Sequence, residues 1–118
     1  MAYYDIAVVP VPQAKLADYK KMLKKGAAAW KRCGALSYVE TLGDGLKPGK
    51  QTSFLQSVKA KKGETVGVAI LTFKNKTHRN QVWKKMMKDP FMSGFDPKAV
   101  PFDARRMYFG AFKPIAGF

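Results

Sequence analysis

The amino-acid sequence predicts an α+β domain of the ferredoxin-like type, with the order strand, helix, strand, strand, helix, strand. Three observations carry that expectation. Apolar residues alternate over residues 3–9 and run almost unbroken over residues 65–73. They recur at every third or fourth position over residues 13–33 and 76–88, and Gly and Pro punctuate the joins. A length of 118 residues gives one domain, residues 1–118, with enough chain to bury a core.

The first strand, residues 3–9, places Tyr4, Ile6 and Val8 on one face and Tyr3, Asp5, Ala7 and Val9 on the other, and Pro10 and Pro12 are expected to end it. In the helix over residues 13–33, Leu16, Tyr19, Leu23, Ala27 and Trp30 form the apolar arc. Lys20, Lys21, Lys24, Lys25, Lys31 and Arg32 project from the opposite side. Gly34 is the expected stop, and Gly26 on the buried face calls for close approach by a neighbour.

Residues 35–42 read as the second strand, closed by the turn Gly43-Asp44-Gly45. Residues 46–63 hold a Lys47-Pro48-Gly49-Lys50 loop, an extra short strand or hairpin over 52–58 using Phe54, Gln56 and Val58, and a basic loop. Residues 65–73, apolar on both faces, suit a central strand. The second helix spans 76–88, with Asn75 as N-cap, Val82, Trp83, Met86 and Met87 as apolar arc, and Asp89-Pro90 as stop. The connection over 91–103 carries Phe91, Met92, Phe95, Val100 and Phe102, so it must pack onto something. Residues 105–112 supply the last strand.

Two helices in this order cover one face of an antiparallel sheet. Both faces of the strands are nevertheless apolar, as with Val66, Val68 and Ile70 against Ala69, Leu71 and Phe73. The uncovered face calls for the same sheet from a second subunit, hence a homodimer.

The composition excludes several classes. A hydrophobic content of 47% and an aromatic content of 13% exclude disorder. A single cysteine, Cys33, and a single histidine, His78, give no internal disulfide and no metal cage. There is no nucleotide-binding glycine motif and no Gly-x-Ser-x-Gly elbow, so no cofactor is expected and a hydrolase triad has no support. The first residues lack the basic and apolar regions of a signal peptide, and no apolar run approaches the roughly 20 residues of a membrane span. A cytoplasmic protein without a membrane partner is the expectation.

The formal net charge of +14 makes nonspecific, salt-sensitive binding to polyanions an expectation, although lysines on outer helix faces are ordinarily a solvated shell. A nucleic-acid-binding module using this basic surface is the alternative to a small-molecule protein. The RNA-recognition motif has the same element order, and Arg106-Met107-Tyr108-Phe109-Gly110-Ala111-Phe112 echoes its basic and aromatic strand. The echo falls on the last strand rather than the third.

His78 and Arg79 stand in the first turn of the second helix. With about 100° per residue, Arg79 falls within the arc of Val82, Trp83 and Met86, where a cation opposes the helix dipole. The ordinary explanations are an ion pair for Arg79 and a hydrogen-bonded His78; the functional one is an acid–base pair. If Val39 faces the helices, then Asp5, Tyr38 and Glu40 face the other side and line a cavity between paired sheets, with Arg79 or Arg106 as partner to a buried carboxylate. That set either fixes dimer register or anchors a substrate. Cys33, at a helix C-terminus, sits where the dipole raises a thiol pKa.

Longer words resemble a known family. Asp5 with Val8-Val9-Pro10-Val11-Pro12, Trp30, Gly34-Ala35-Leu36, Tyr38-Val39-Glu40, Lys47-Pro48-Gly49-Lys50 and Thr52-Ser53-Phe54 are similar to the YbaA-like family of bacterial proteins. So are Lys62-Gly63-Glu64-Thr65-Val66, His78-Arg79, Met87-Lys88-Asp89-Pro90 and Pro101-Phe102-Asp103 before Arg106-Met107. The resemblance implies a ferredoxin-like fold of the dimeric α+β barrel superfamily, which includes cofactor-independent monooxygenases, isomerases and plain binding modules. Asn80 and Trp83 depart from the family pattern, which has an acidic and a small polar residue there.

The functional expectation is a cytoplasmic homodimer binding a small organic molecule, as a cofactor-independent monooxygenase or isomerase if it is an enzyme. His78, Arg79 and Glu40 are the candidate catalytic residues, and Asp5, Tyr38, Trp83, Arg106 and Tyr108 the candidate ligand-binding ones.

Overall fold

The computed structural model describes residues 2–118. Its four strands, β1 (Tyr3–Pro12), β2 (Ser37–Leu42), β3 (Glu64–Phe73) and β4 (Tyr108–Phe112), form one sheet in the order β2-β3-β1-β4, with every neighbouring pair antiparallel. The helices are α1 (Leu16–Cys33), α2 (Phe54–Ser57), α3 (Lys76–Lys88) and α4 (Pro90–Ser93). The ferredoxin-like order expected from the sequence is thus the observed one.

Strand β1 runs through Pro10 to Pro12 instead of ending before them. Its pairing with β4 stops at Val8, so beyond that residue only β3 flanks it, and prolines without N–H groups are tolerated beside the vacated edge. A 3-10 turn, Gln13–Lys15, precedes α1. Gly34 closes α1 in the left-handed region, φ 101°, with its N–H donated to the carbonyl of Trp30 at 3.1 Å. At position 26 a Cβ would lie 3.1 Å from the ring of Phe91, the close approach that this glycine foretold.

The extra strand over 52–58 does not form. The Ser53 side chain accepts the N–H of Gln56 at 3.1 Å and caps the short helix α2, a local bond that competes with extension. The last strand begins at Tyr108 rather than 105. Asp103 caps a 3-10 turn, Ala104–Arg106, by accepting the Arg105 N–H at 3.1 Å.

Helices α1 and α3 pack on one sheet face, where Ala29, Trp30 and Cys33 meet Val82, Met86, Leu71 and Phe73. A neighbouring cluster on the same face joins Val9, Val11 and Tyr19, with Phe102 and Met107 from the chain before β4. The connection after α3 therefore packs over α1, as its apolar residues required. On the opposite face Val8 and Val66 are covered by Leu46, Leu55, Val58 and Ala60. The segment 46–60 thus supplies part of the second cover from within the same chain.

The register fixes which residues share a face. Asp5 and Tyr38 both lie opposite Leu71, and Ala7 and Glu40 both lie opposite Ala69. Leu71 belongs to the core under α1 and α3, so Asp5, Tyr38 and Glu40 face the helices. This corrects the expectation that they point away into a space between two sheets. Val39 is the outward residue of β2, in a row with Ile70, Ile6 and Gly110, and is 49% exposed. Alternation alone cannot tell inside from outside when both faces are apolar.

Candidate functional site

A cavity of about 490 Å³ lies between the sheet and the helices. Its floor comes from β1, β2 and β3, through Asp5, Ala7, Tyr38, Glu40 and Ala69. Its roof and walls come from α1, with Tyr19, Met22, Leu23 and Trp30, from Trp83 of α3, and from Phe91, Met92, Phe95, Phe102 and Met107 of the long connection. Phe109 of β4 completes it, stacked within 18° of the plane of Trp83 with ring centroids 6.3 Å apart. The wall is thus almost wholly apolar and aromatic, with a few polar groups at the floor, the usual make-up of a small-molecule pocket.

Asp5, only 4% exposed, receives the Arg79 Nε–H at 3.0 and 3.3 Å and the indole N–H of Trp83 on the same carboxylate. Arg79 also lies over the Trp83 ring, 5.3 Å from its centroid. The anomalous arginine on the apolar arc is therefore held by a buried carboxylate on the next layer, which outweighs its unfavourable place in the helix dipole.

Glu40 is less completely satisfied. Its Oε1 accepts the Tyr38 hydroxyl, whereas Oε2 is buried without a hydrogen-bond partner. Burial pushes the Glu40 carboxyl above its usual range, and the Tyr38 hydrogen bond opposes part of that rise. Burial also raises the phenols of Tyr19 and Tyr38, aided by the nearby Glu40 charge. Tyr19 reaches the sheet over Gly67, where a Cβ would stand 3.0 Å from its hydroxyl and 3.2 Å from Val11. A glycine in the middle of β3 thus makes room for a phenol.

The remaining candidates sit elsewhere. His78 lies at the start of α3, its Nδ1 accepting the Lys74 N–H at 2.9 Å and its ring edge-on to Phe73 at 6.0 Å. Its own backbone N–H is capped by Asn75 at 2.8 Å. Arg106 binds Glu64 at 2.6 and 2.8 Å and Asp103 at 3.0 Å, and donates to the carbonyls of Val58 and Lys59. It ties the entrance of β4 to the α2 region and the start of β3. Tyr108 lies on the far face and donates to Ser57 at 2.8 Å.

Of the eight candidate residues, the fold gathers Asp5, Tyr38, Glu40 and Trp83 at the cavity, with Arg79 behind Asp5. It leaves His78, Arg106 and Tyr108 outside the cavity lining. Tyr19 and the methionines and phenylalanines of the roof and walls are not singled out by the sequence. The signal for that part of the wall is present in the apolar residues of a long connection; Tyr19 reads as an ordinary member of a helix arc.

Charge is divided sharply by residue type. All four arginines form ion pairs: Arg32 with Asp89, Arg79 with Asp5, Arg105 with Asp103, and Arg106 with Glu64 and Asp103. No lysine does so among the described residues. Arg106 holds Glu64 below its usual pKa, and Arg105 with Arg106 holds Asp103 at about 2. Cys33 is buried, and burial, followed by the Asp89 charge, raises its thiol. Among the described residues no cluster of three His, Cys, Asp or Glu side chains could hold a metal ion, and no helix is long and apolar enough to cross a membrane.

The sheet order, the helices on one face and the cavity beneath them define an α+β protein of ferredoxin-like type. Within that class, the chain belongs to the family described as protein of unknown function (DUF1428), whose model matches residues 2–104. Over 115 residues it is 38% identical to the uncharacterized protein YbaA of Escherichia coli (strain K12), covering 98% of this chain and 97% of that one. The YbaA protein of Shigella flexneri matches with the same identity and coverage. Among solved structures, an uncharacterized NIPSNAP domain protein from Burkholderia xenovorans aligns with a TM-score of 0.56 at 15% identity, over 97% of this chain and 95% of that one. Rv0793 from Mycobacterium tuberculosis aligns with a TM-score of 0.55 at 14% identity, over 99% and 98%. These two share the fold.

Proposed function

We propose that this protein binds a small, largely apolar organic molecule in the cavity between its sheet and its helices. The observation that carries the proposal is the cavity itself, about 490 Å³ with aromatic and methionine walls and few polar groups. Chemistry on such a ligand, as a cofactor-independent oxidation by dioxygen or an isomerisation of an aromatic or enolisable substrate, would start with proton removal by Glu40. Its burial raises its basicity, and Oε2 is free of other bonds. Asp5, already bound by Arg79 and Trp83, serves as support for the Trp83 wall. His78 is held by the backbone of Lys74 and has its role at the helix start.

A homodimer fits the far face. Ile6, Val39 and Ile70 form an apolar row there, flanked by Tyr4 and Phe112, beside the part that segment 46–60 covers. Pairing two such faces would bury it.

Equilibrium dialysis with 2-methoxynaphthalene tests the ligand site. Saturable binding is expected for the native protein, and Ala7→Leu, which fills the floor, should weaken it by about tenfold or more. Absence of saturable binding to the folded native protein would contradict the proposal.

Nucleic-acid binding is the second reading, favoured by the free lysines and by Tyr108 and Phe112 on the open sheet face. Binding of a single-stranded oligonucleotide that survives high salt and is lost in Tyr108→Ala and Phe112→Ala would support it. Loss at moderate salt would mean charge alone.

A further inference from the structure

We propose that Glu40, flanked by Tyr19 and Tyr38, makes the cavity selective for an aromatic ligand bearing one hydroxyl group, which donates its hydrogen bond to the Glu40 carboxylate. The inference rests on the cavity being a ligand site and goes further by naming the ligand class.

Four observations converge on this class. Glu40 forms part of the cavity floor, and its Oε2 has no hydrogen-bond partner while Oε1 is taken by Tyr38. A buried acceptor left without a donor is costly, and a ligand that brings a donor removes that cost. The terminal carboxylate torsion of a glutamate is soft, so a small rotation presents the unbonded oxygen to the cavity.

Tyr19 is 3% exposed, lines the same space, and is held against the sheet by the absence of a side chain at Gly67. Its phenol and that of Tyr38 both respond to the Glu40 charge. Two phenols and the Glu40 carboxylate therefore form a polar cluster in the chamber, whose other carboxylate, Asp5, is taken by Arg79 and Trp83.

The walls around this cluster are aromatic. Trp30 meets Trp83 edge-on at 5.0 Å, and Tyr19 meets Phe102 edge-on at 5.9 Å. Flat rings match such walls through stacking and edge contacts. Among the described residues no arginine or lysine lines the cavity, and Arg79, behind Asp5, is committed to that carboxylate, so an anionic ligand group has no cationic partner there. A neutral hydroxyl donor fits this chemistry better than a carboxylate or phosphate.

The test compares 2-naphthol with 2-methoxynaphthalene, which keeps the ring and the oxygen but has no donor, by equilibrium dialysis at pH 7. The native protein is expected to bind 2-naphthol about tenfold or more tighter, the range for one hydrogen bond to a charged acceptor. Glu40→Leu should abolish the preference while 2-methoxynaphthalene still binds. Glu40→Gln, which keeps the volume and serves if the leucine variant does not fold, should reduce the preference because a neutral amide is the weaker acceptor. Equal affinity of the two probes for the native protein would overturn the Glu40 proposal and leave the cavity proposal standing. A preference that persists undiminished in Glu40→Gln would overturn it too. Failure of both probes to bind would overturn both.

Discussion

The two faces of the sheet are built by the same strands and meet opposite fates. The helix face is roofed by α1, α3 and the long connection, and it contains the buried carboxylate of Asp5 and the half-buried one of Glu40. The far face is covered only where Leu46, Leu55 and Val58 pack on Val8 and Val66, and elsewhere leaves Val39, Tyr108 and Phe112 in solvent. The difference teaches where polar residues carry consequence. Under the helices, an unpaired polar atom such as Glu40 Oε2 carries a cost, whereas Tyr108 on the far face and Arg106 in the turn before β4 serve as ties between segments.

The largest effect that tests this contrast is a truncation of the roofed core. Phe73→Ala should cost about 4 kcal/mol in a denaturant titration, whereas Val39→Ala should change the stability of the single chain by less than about 0.5 kcal/mol. A comparable loss from both would erase the distinction between the faces.

Next is the buried pair. Arg79→Leu leaves Asp5 with the Trp83 N–H alone and should cost about 3 kcal/mol. The double variant Asp5→Asn with Arg79→Leu should recover part of the loss. No recovery would show that Arg79 acts through packing on Trp83 instead.

A smaller effect separates the carboxylates by pH. Burial raises Glu40 in the folded chain above its ordinary 4.5, so the native state holds that proton more tightly than the unfolded one. The native protein should therefore lose stability relative to Glu40→Gln as pH rises above the ordinary 4.5. Glu64 has the opposite sign: Arg106 lowers it, so its contribution is full above the ordinary 4.5 and is lost as pH falls through the folded value. Arg106→Met should accordingly flatten the acid side of the stability profile. Urea midpoints at several pH values read both signs.

The smallest effect in stability, though not in assembly, belongs to the open face. Val39→Lys combined with Phe112→Lys should shift the protein from dimer to monomer in light scattering with little change in the fold, if two far faces pair. A monomeric native protein would remove that part of the account.

Much of this architecture was legible in the sequence because local chemistry dictated it. Gly34 ends α1, Asn75 starts α3, and Gly26 admits Phe91, each through a requirement of one residue and its near neighbours. The failures needed information from across the sheet. Pro10 and Pro12 stay in β1 because β4 is too short to reach them. Ser53 turns an apparent strand into α2 with one capping bond. Asp5, Tyr38 and Glu40 went to the helix face although Val39, the natural inward residue by hydropathy, went out. Candidate chemistry was legible by type rather than position: the unusual Arg79 did signal a buried carboxylate, while the unique His78 accepts the Lys74 N–H at the start of α3. Tyr19 joined the cavity through Gly67, a partnership across α1 and β3 that no spacing within either element reveals.

The methionine methyl groups offer the most direct measurement of where a ligand goes. Met22, Met92 and Met107 line the cavity, whereas Met87 is 59% exposed on α3 and lies outside the cavity lining. In a carbon-13 methyl spectrum titrated with 2-methoxynaphthalene, the first three resonances should move together along one saturation curve while Met87 stays still. Binding that leaves Met22, Met92 and Met107 unmoved would contradict a ligand site between the sheet and the helices.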